Sequence, residues 1–563
     1  MKISIIYINL SLFLLLNSCS GFLDVTDLDE LSSESVFKTQ TDMGFALNHI
    51  YTFLPHPDLE NEGELVPYFW TDDAIHRNIN SQGRMGSDFN WLTVSQPGDT
   101  YILDDFYKYD QIADINFFLE ALPDAEYTDE SLRERHGAEA RFMRAWLYER
   151  MIFVYGDVAL ITEVIPADAL PSRDPRLEVF NWIVSELEEI ASTLPVLYEG
   201  NDVGRFTKWA ALALKARAHL NAIGWHNDVS GMYEAAESAC AEIINSGQFE
   251  LADGIEGFEA QFTTSSDLVS SETILSNIFI PELRTHPLAR RIAQKGSWRG
   301  PAARFGNNQS RPGYTSDFIE EVQTINGLFP RDDPEYDPSN PWENRDPRLR
   351  ACAVLPGDEL PAKGDPVNTY IYQPHPAIPP NTDDITRPSN PTGYGFKKYL
   401  DYDLQALDQG NSDYKIIRYS EILLMYAETL AARGNDEEAL EYLDRVRARV
   451  GMPLYSDIGL PTITRGTTGN GMIDAILLER RYEFAAEGPQ RWFDIWRYKL
   501  GDQVIGQVFG IPESTELPGD LDGPKFKPDG EEYNRVWQEK FYLLPMRQSI
   551  LDANPNISQN PGW

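Results

Sequence analysis

The stretch Met472–Lys499, MIDAILLERRYEFAAEGPQRWFDIWRYK, constrains the fold more than any other part of the chain. Ile473, Ile476, Leu477 and Phe484 recur at helical spacing, which predicts an amphipathic helix. Gly488-Pro489 is expected to stop it, because Gly suits the left-handed position after a helix and Pro cannot continue one. Trp492, Phe493, Ile495 and Trp496 then begin a second short helix that must bury its aromatics. Among these apolar residues stand Glu479, Arg480, Arg481, Glu483, Glu487, Arg491, Asp494 and Arg497. Charges so close to Trp and Phe have to be paired if they are buried. The stretch therefore reads either as a helix-turn-helix clamp held by Arg–carboxylate pairs or as a carboxylate active site. The clamp is the favoured reading, with Arg480, Glu487, Arg491 and Asp494 as its ion-pairing residues.

A chain of 563 residues, 42% hydrophobic, can bury a sizeable core. Its 48 basic against 88 acidic residues give −40, which excludes the basic footprint of a nucleic-acid binder. The same balance argues against electrostatic adhesion to anionic lipid. The first residues read as a processing signal. Lys2 supplies the charge, and Ile5 to Leu16 is apolar but too short to span a bilayer. Leu16-Asn17-Ser18-Cys19 resembles a bacterial lipobox, which implies a signal peptide over 1–18 and lipidation of Cys19. Cys240 and Cys352 are too few for a disulfide scaffold or a zinc site, and Cys240 falls on an apolar helical stripe, as a buried inert thiol would.

Helical patterns dominate. Ser33 to Leu54 can form one helix, and another begins at Tyr107. From 131 to 247 the reading is helical throughout, as paired helices with Ala at close contacts of the tetratricopeptide kind. A further pair runs from Tyr419 to Val450, with Asn435 and Glu438 placed for a capping box. Residues 301–400 hold sixteen of the 37 prolines, so 258–415 reads as a loop-rich insertion, with one strand expected within Leu268–Ile280. The helices resume over 416–500. The Pro- and Asn-rich ending is expected to be a pinned extended tail without helix.

Four ordered features together resemble the SusD/RagB family of Bacteroidetes outer-membrane lipoproteins. They are the lipobox followed by Phe22-Leu23-Asp24; Arg141-Phe142 through Tyr155-Gly156-Asp157; Arg418 to Glu428 with the later Glu479-Arg480-Arg481 … Arg491-Trp492-Phe493-Asp494; and Leu543-Leu544-Pro545 … Asn560-Pro561-Gly562. The resemblance implies a mostly α fold, with tetratricopeptide-like helix pairs as scaffold, a loop-rich insertion and a few short strands. It divides the mature chain into an N-terminal helical region, 19–257, and a C-terminal region, 258–563. It also implies a surface-exposed, lipid-anchored protein of the outer membrane. Such a protein captures oligosaccharide, sits as a lid on a SusC-like TonB-dependent transporter, and is neither an enzyme nor dependent on a cofactor.

A sugar ring presents C–H faces and a hydroxyl rim, so its binder needs flat aromatics beside Asp, Asn, Gln or Arg. Two stretches offer that mix: Tyr68, Trp70, Asp72, Arg77, Asn80 and Trp91, and Trp298, Arg299, Asn307 and Tyr314. Trp342 is a third, weaker candidate. Core packing is the alternative for each Trp. Neutral glycan is the simpler ligand for a −40 chain, while Arg299, Arg304 and Arg311 keep a uronic-acid or sulfated glycan open. Two other function classes stay open on the residues alone: a secreted glycoside hydrolase, which needs only a carboxylate pair, and a protein-binding helical scaffold. No H-E-x-x-H, P-loop or G-x-S-x-G is present, and Asp and Asn within 332–346 match no EF-hand spacing.

Overall fold

The computed structural model describes residues 37–57, 65–76, 106–263, 270–294, 312–361, 369–378, 385, 390–402, 404, 407–528 and 534–563. The fold is mostly α. Helix α1 (Gln40–Ile50) opens on a capping box between Thr39 and Asp42, so it starts later than the sequence pattern suggested. Helix α2 (Tyr109–Ala121) leads to α3 (Glu130–Tyr155), the longest, which is buried on nearly every face from His136 onward. Then follow α4 (Arg176–Ala191), α5 (Lys208–Ala222), α6 (Val229–Asn245), α7 (Tyr419–Ala432) and α8 (Asp436–Arg449). Each packs on its predecessor, including α7 on α6 across the intervening residues 246–418. The helix-pair stack is therefore continuous in space, and the irregular region is inserted into it. Alanines make this possible: Ala210, Ala211, Ala213 and Ala216 on α5 and Ala236 on α6 are fully buried and let the helices approach closely.

The turn between α7 and α8 departs from expectation. Asn435 occupies the cap position, but its side chain makes no capping hydrogen bond. The backbone explains this. Gly434 takes φ +82°, and Asn435 N–H bonds back to Leu430 O at 2.9 Å, so the tight turn finishes α7 and leaves Asn435 outside the extended conformation a cap requires.

The strands are short and pair antiparallel in two-stranded ribbons, all but β1 lying between α6 and α7. Strand β1 (Ala74–His76) pairs with β3 (Pro312–Tyr314), and β2 (Thr273–Asn277) with β8 (Tyr414–Arg418). Likewise β4 (Ala353–Val354) pairs with β7 (Gly395–Phe396), and β5 (Glu359–Pro361) with β6 (Thr369–Ile371). One hydrophobic core runs through scaffold and insertion alike, from Met43 to Ile557. Cys240 and Cys352 are buried and free, and burial pushes the Cys240 thiol well up. Among the described residues no helix is long and apolar enough to cross a membrane.

Helices α9 (Gly471–Glu483) and α10 (Gln490–Arg497) form the aromatic clamp. Helix α9 stops at Glu483, five residues before Gly488. The Glu483 carbonyl is taken by Lys398 Nζ at 3.1 Å and Arg418 Nη2 at 3.3 Å instead of continuing the helix. The left-handed position falls on Ala486, φ +54°. Gly488 sits in a tight spot, where a Cβ would lie 3.0 Å from Gln490 Oε1 and 3.1 Å from the Tyr414 hydroxyl oxygen.

The tail is pinned, but it contains a short helix, Gln548–Ala553, that its Pro and Asn content had argued against. The prolines, Pro545, Pro555 and Pro561, flank that turn rather than interrupt it. Arg173 ties the tail down, donating to Ser558 O at 2.9 Å and Asn560 Oδ1 at 2.7 Å. Asn560 in turn donates to Tyr155 O and Leu544 O.

Candidate functional site

The β1–β3 ribbon brings the two sequence-selected stretches together. Its register sets Ala74 opposite Tyr314, Ile75 opposite Gly313 and His76 opposite Pro312. Residues 77–105 follow β1 and residues 295–311 precede β3, so both join the described chain at the same end of one ribbon. A third segment crosses there. Asn390 Oδ1 accepts from the Thr392 and Gly393 amides at 2.9 and 3.2 Å, and Tyr314 N–H donates to Tyr394 O at 3.0 Å. Gly313 is required by that crossing, because a Cβ would collide with Asn390 Oδ1 and Thr392 Oγ1.

The turn before β1 is held from below. Arg491 on α10 grips Asp72 with Nε–Oδ1 3.0 Å and Nη2–Oδ2 2.9 Å. Arg481 on α9 pairs with Asp73, Glu321 and, at 3.3 Å, Asp72. Arg535 donates to Phe69 O and Ala74 O, both at 3.1 Å, closing the turn. Thr315, just past β3, returns the contact, N–H to Asp73 O at 2.9 Å. The electrostatics divide the two acids. Burial raises both, but for Asp72 the Arg491 and Arg481 charges outweigh it and hold the carboxyl below its ordinary value. Asp73 is pushed up to about 6 by burial, against the pull of Arg481 and with help from the Asp72 charge.

These contacts correct four of the sequence candidates. Tyr68, Trp70 and Tyr314 are at most 1% exposed. Tyr68 meets the rings of Phe69, Tyr314 and Phe396, and Trp70 those of Phe106 and Trp492. No ring face is left for a sugar. Asp72 is spent on Arg491. A large ring and a carboxylate suit a core clamp as well as a binding surface, and here the core takes them. Arg77, Asn80, Trp91, Trp298, Arg299 and Asn307 lie outside the described residues. Trp342 is half-buried and meets Tyr394 edge to face, centroids 5.8 Å apart, one ring away from the ribbon.

The clamp residues are all paired. Arg480 binds Asp494 at 2.9 Å, and Asp494 also binds Arg497 at 2.8 Å. Glu487 accepts from Arg418 Nε at 2.8 Å and Lys398 at 2.7 Å. Most partners come from outside the stretch, which sequence could not indicate. The sequence offered only the acidic pair Asp72-Asp73 next to Trp70 and arginines next to Trp492, with nothing to join them. Among the described residues no group of three or more His, Cys, Asp or Glu is placed to hold a metal ion. Within 332–346, Asp333 accepts from Asn326 at 3.1 Å and the Glu335 amide at 2.9 Å, while Asp337 accepts from Asn340 at 2.7 Å.

Comparison with known proteins agrees with this architecture. The family model described as SusD family matches residues 272–563, and one described as "Starch-binding associating with outer membrane" matches 21–220. SusD-like protein P38 of Formosa agariphila is 25% identical over 531 residues, covering 91% of this chain and 94% of that protein. A SusD-like protein of Bacteroides ovatus is 30% identical over 466 residues, 77% of this chain and 75% of its own length. A solved SusD-like protein from Bacteroides fragilis superposes with TM-score 0.77 at 22% identity, covering 95% of this chain and 99% of that one. A SusD-like carbohydrate binding protein from the same species superposes at 0.76, also 22% identical, covering 93% and 100%. With its C-terminal half matched by the family model and a 30% identical relative aligned along three quarters of its length, the chain belongs to the SusD family.

Proposed function

We propose that this protein is a cell-surface lipoprotein that captures oligosaccharide without chemically altering it and delivers it to a SusC-like TonB-dependent transporter. The observation that carries the reading is the β1–β3 ribbon. It ties together, at His76 and Pro312, two stretches that combine the aromatic and amide or guanidinium side chains that sugar recognition needs. The half-buried Trp342 stands close to the same ribbon. A relative in solved form carries the description carbohydrate binding, and one matching family model is described as starch-binding and outer-membrane associating. The ribbon is braced on a rigid clamp, and a preorganised site loses less on binding than a flexible one. Lipid on Cys19 is the expected attachment.

Affinity electrophoresis through gels containing a panel of neutral and acidic polysaccharides tests the ligand class. Retardation by at least one glycan, with no release of product, is the expected result. Product release would instead favour a hydrolase, and mobility unaltered in every gel would remove the glycan reading. For the attachment, Cys19→Ala is expected to move the protein from the membrane fraction to the soluble one.

A further inference from the structure

A second recess lies beside the clamp. The short helix Ser316–Glu321, the turn at Phe329–Asp332, the segment Thr462–Gly466 and the outer face of α9 enclose a cleft of about 580 Å³. That falls within the ~300–1,000 Å³ of small-molecule sites. Its apolar surface comes from Phe329, Ile463, Leu477 and Leu478, and its rim is charged.

The charges are not equivalent. Each guanidinium that lines the cleft is already engaged by a carboxylate: Arg465 by Asp317, Arg481 by Asp73 and Glu321, Arg491 by Asp72, and Arg331 at the rim by Asp522 at 2.6 Å. The acceptor oxygens remain accessible. The Asp317 and Glu321 side chains are 26% and 34% exposed, and Asp332 is exposed. Carboxylates outnumber cations around the opening, so the local field repels anions. The cleft therefore offers an apolar face plus hydrogen-bond acceptors, with few donors to spare. An anionic group would need an unengaged arginine there, and a hydroxyl-rich uncharged molecule would not.

We propose that this cleft is a second glycan-binding site, taking an uncharged oligosaccharide segment. The ring C–H faces rest on Phe329 and Ile463, and hydroxyls donate to Asp317, Glu321 and Asp332. This rests on the reading that the protein binds glycans, and it adds to that reading a site built from the cleft's own residues together with a charge selectivity for that site.

Hydrogen–deuterium exchange on the full chain tests it, with maltohexaose, cellohexaose, xylohexaose, mannohexaose and laminarihexaose as neutral probes and oligogalacturonate as the anionic one. Peptides covering 329–332 and 462–466 are expected to exchange several-fold more slowly with at least one neutral probe. Thr464→Trp, at an exposed rim position, is expected to abolish that protection while leaving any protection over 77–105 and 295–311 unchanged. Protection confined to those two stretches overturns the second site and leaves the glycan reading standing. Protection of the cleft by oligogalacturonate alone, or protection that survives Thr464→Trp, also overturns it. Protection nowhere, with any probe, removes the glycan reading and the second site together.

Discussion

Arg491 and Asp72, drawn from opposite ends of the chain, form a two-pronged buried ion pair with Nε–Oδ1 3.0 Å and Nη2–Oδ2 2.9 Å. Directly beside it Trp70 meets Trp492 edge to face, centroids 5.2 Å apart. The pair joins the turn that launches residues 77–105 to the aromatic clamp. Arg491→Ala leaves the buried Asp72 carboxylate with only its 3.3 Å contact to Arg481 and is expected to cost about 3 kcal/mol. Arg491→Lys, which keeps the charge but loses the fork, should cost less. Urea titration checks both, and equal losses would contradict the importance of the two-pronged geometry.

Glu487 lies at the centre of the other half of the clamp, binding Arg418 and Lys398 while Tyr414 OH donates to its backbone carbonyl at 2.5 Å. Glu487→Ala leaves two buried cations short of a partner, and about 3–5 kcal/mol of stability should be lost. Glycan affinity of the fraction that remains folded should change less than twofold. A large loss of affinity with an unchanged thermal midpoint would return this stretch to consideration as a functional site.

Stability should rise with pH between about 4 and 6.5. Burial pushes His219 and His286 down to about 4 from 6.5. In that window the folded state holds fewer protons than the unfolded one, so raising the pH favours folding, by at most about 3 kcal/mol per histidine. Asp73 acts oppositely. Raised from 3.8 to about 6, it holds its proton longer in the folded state and loses stability as pH rises through that interval. His219 and His286, together with His56 and His136, which burial lowers to about 4 as well, outweigh Asp73 and leave a net gain, followed by a plateau above pH 6.5. Thermal midpoints from pH 4.5 to 7.5 measure it, and a steady fall would contradict the assignment.

The C-terminal tail should loosen when its pin is cut. Arg173 Nη2 also donates to Tyr155 O at 2.8 Å, so the side chain joins α3 to the tail. Arg173→Ala removes hydrogen bonds from a charged donor, each about 1.5–3 kcal/mol. Limited proteolysis is expected to clip after residue 545 sooner than in the unaltered protein. Equal resistance would show that Asn560 and the buried Leu544 suffice.

Periodicity made the helices legible. On α5, Trp209, Ala213, Ala216, Leu220 and Ile223 recur at helical spacing; the first four are buried, while Ile223 lies just past the helix and is half-buried, and Cys240 lies on the apolar stripe of α6. Residue choice in the clamp showed that its charges had to be paired, and they are. The partners were not legible, because Asp72, Lys398 and Arg418 reach it through tertiary contact alone. Nor could sequence separate Trp70 from a sugar platform, since burial is decided by what faces it, here Trp492 and Phe106. Asn435 failed as a cap because the preceding Gly434 turn fixed its backbone first. The joining of 77–105 to 295–311 depended on a three-residue ribbon too short to predict.

The central claim is that glycan is bound by the stretches 77–105 and 295–311 that meet the β1–β3 ribbon at His76 and Pro312. Calorimetry with the glycan that most retards the protein tests it most directly, comparing the unaltered protein with Trp91→Ala, Trp298→Ala and Trp342→Ala. Loss of at least about tenfold in affinity, about 1.4 kcal/mol, in one or more of these variants at unchanged thermal midpoint is the predicted result. Affinities equal to that of the unaltered protein in all three would contradict it.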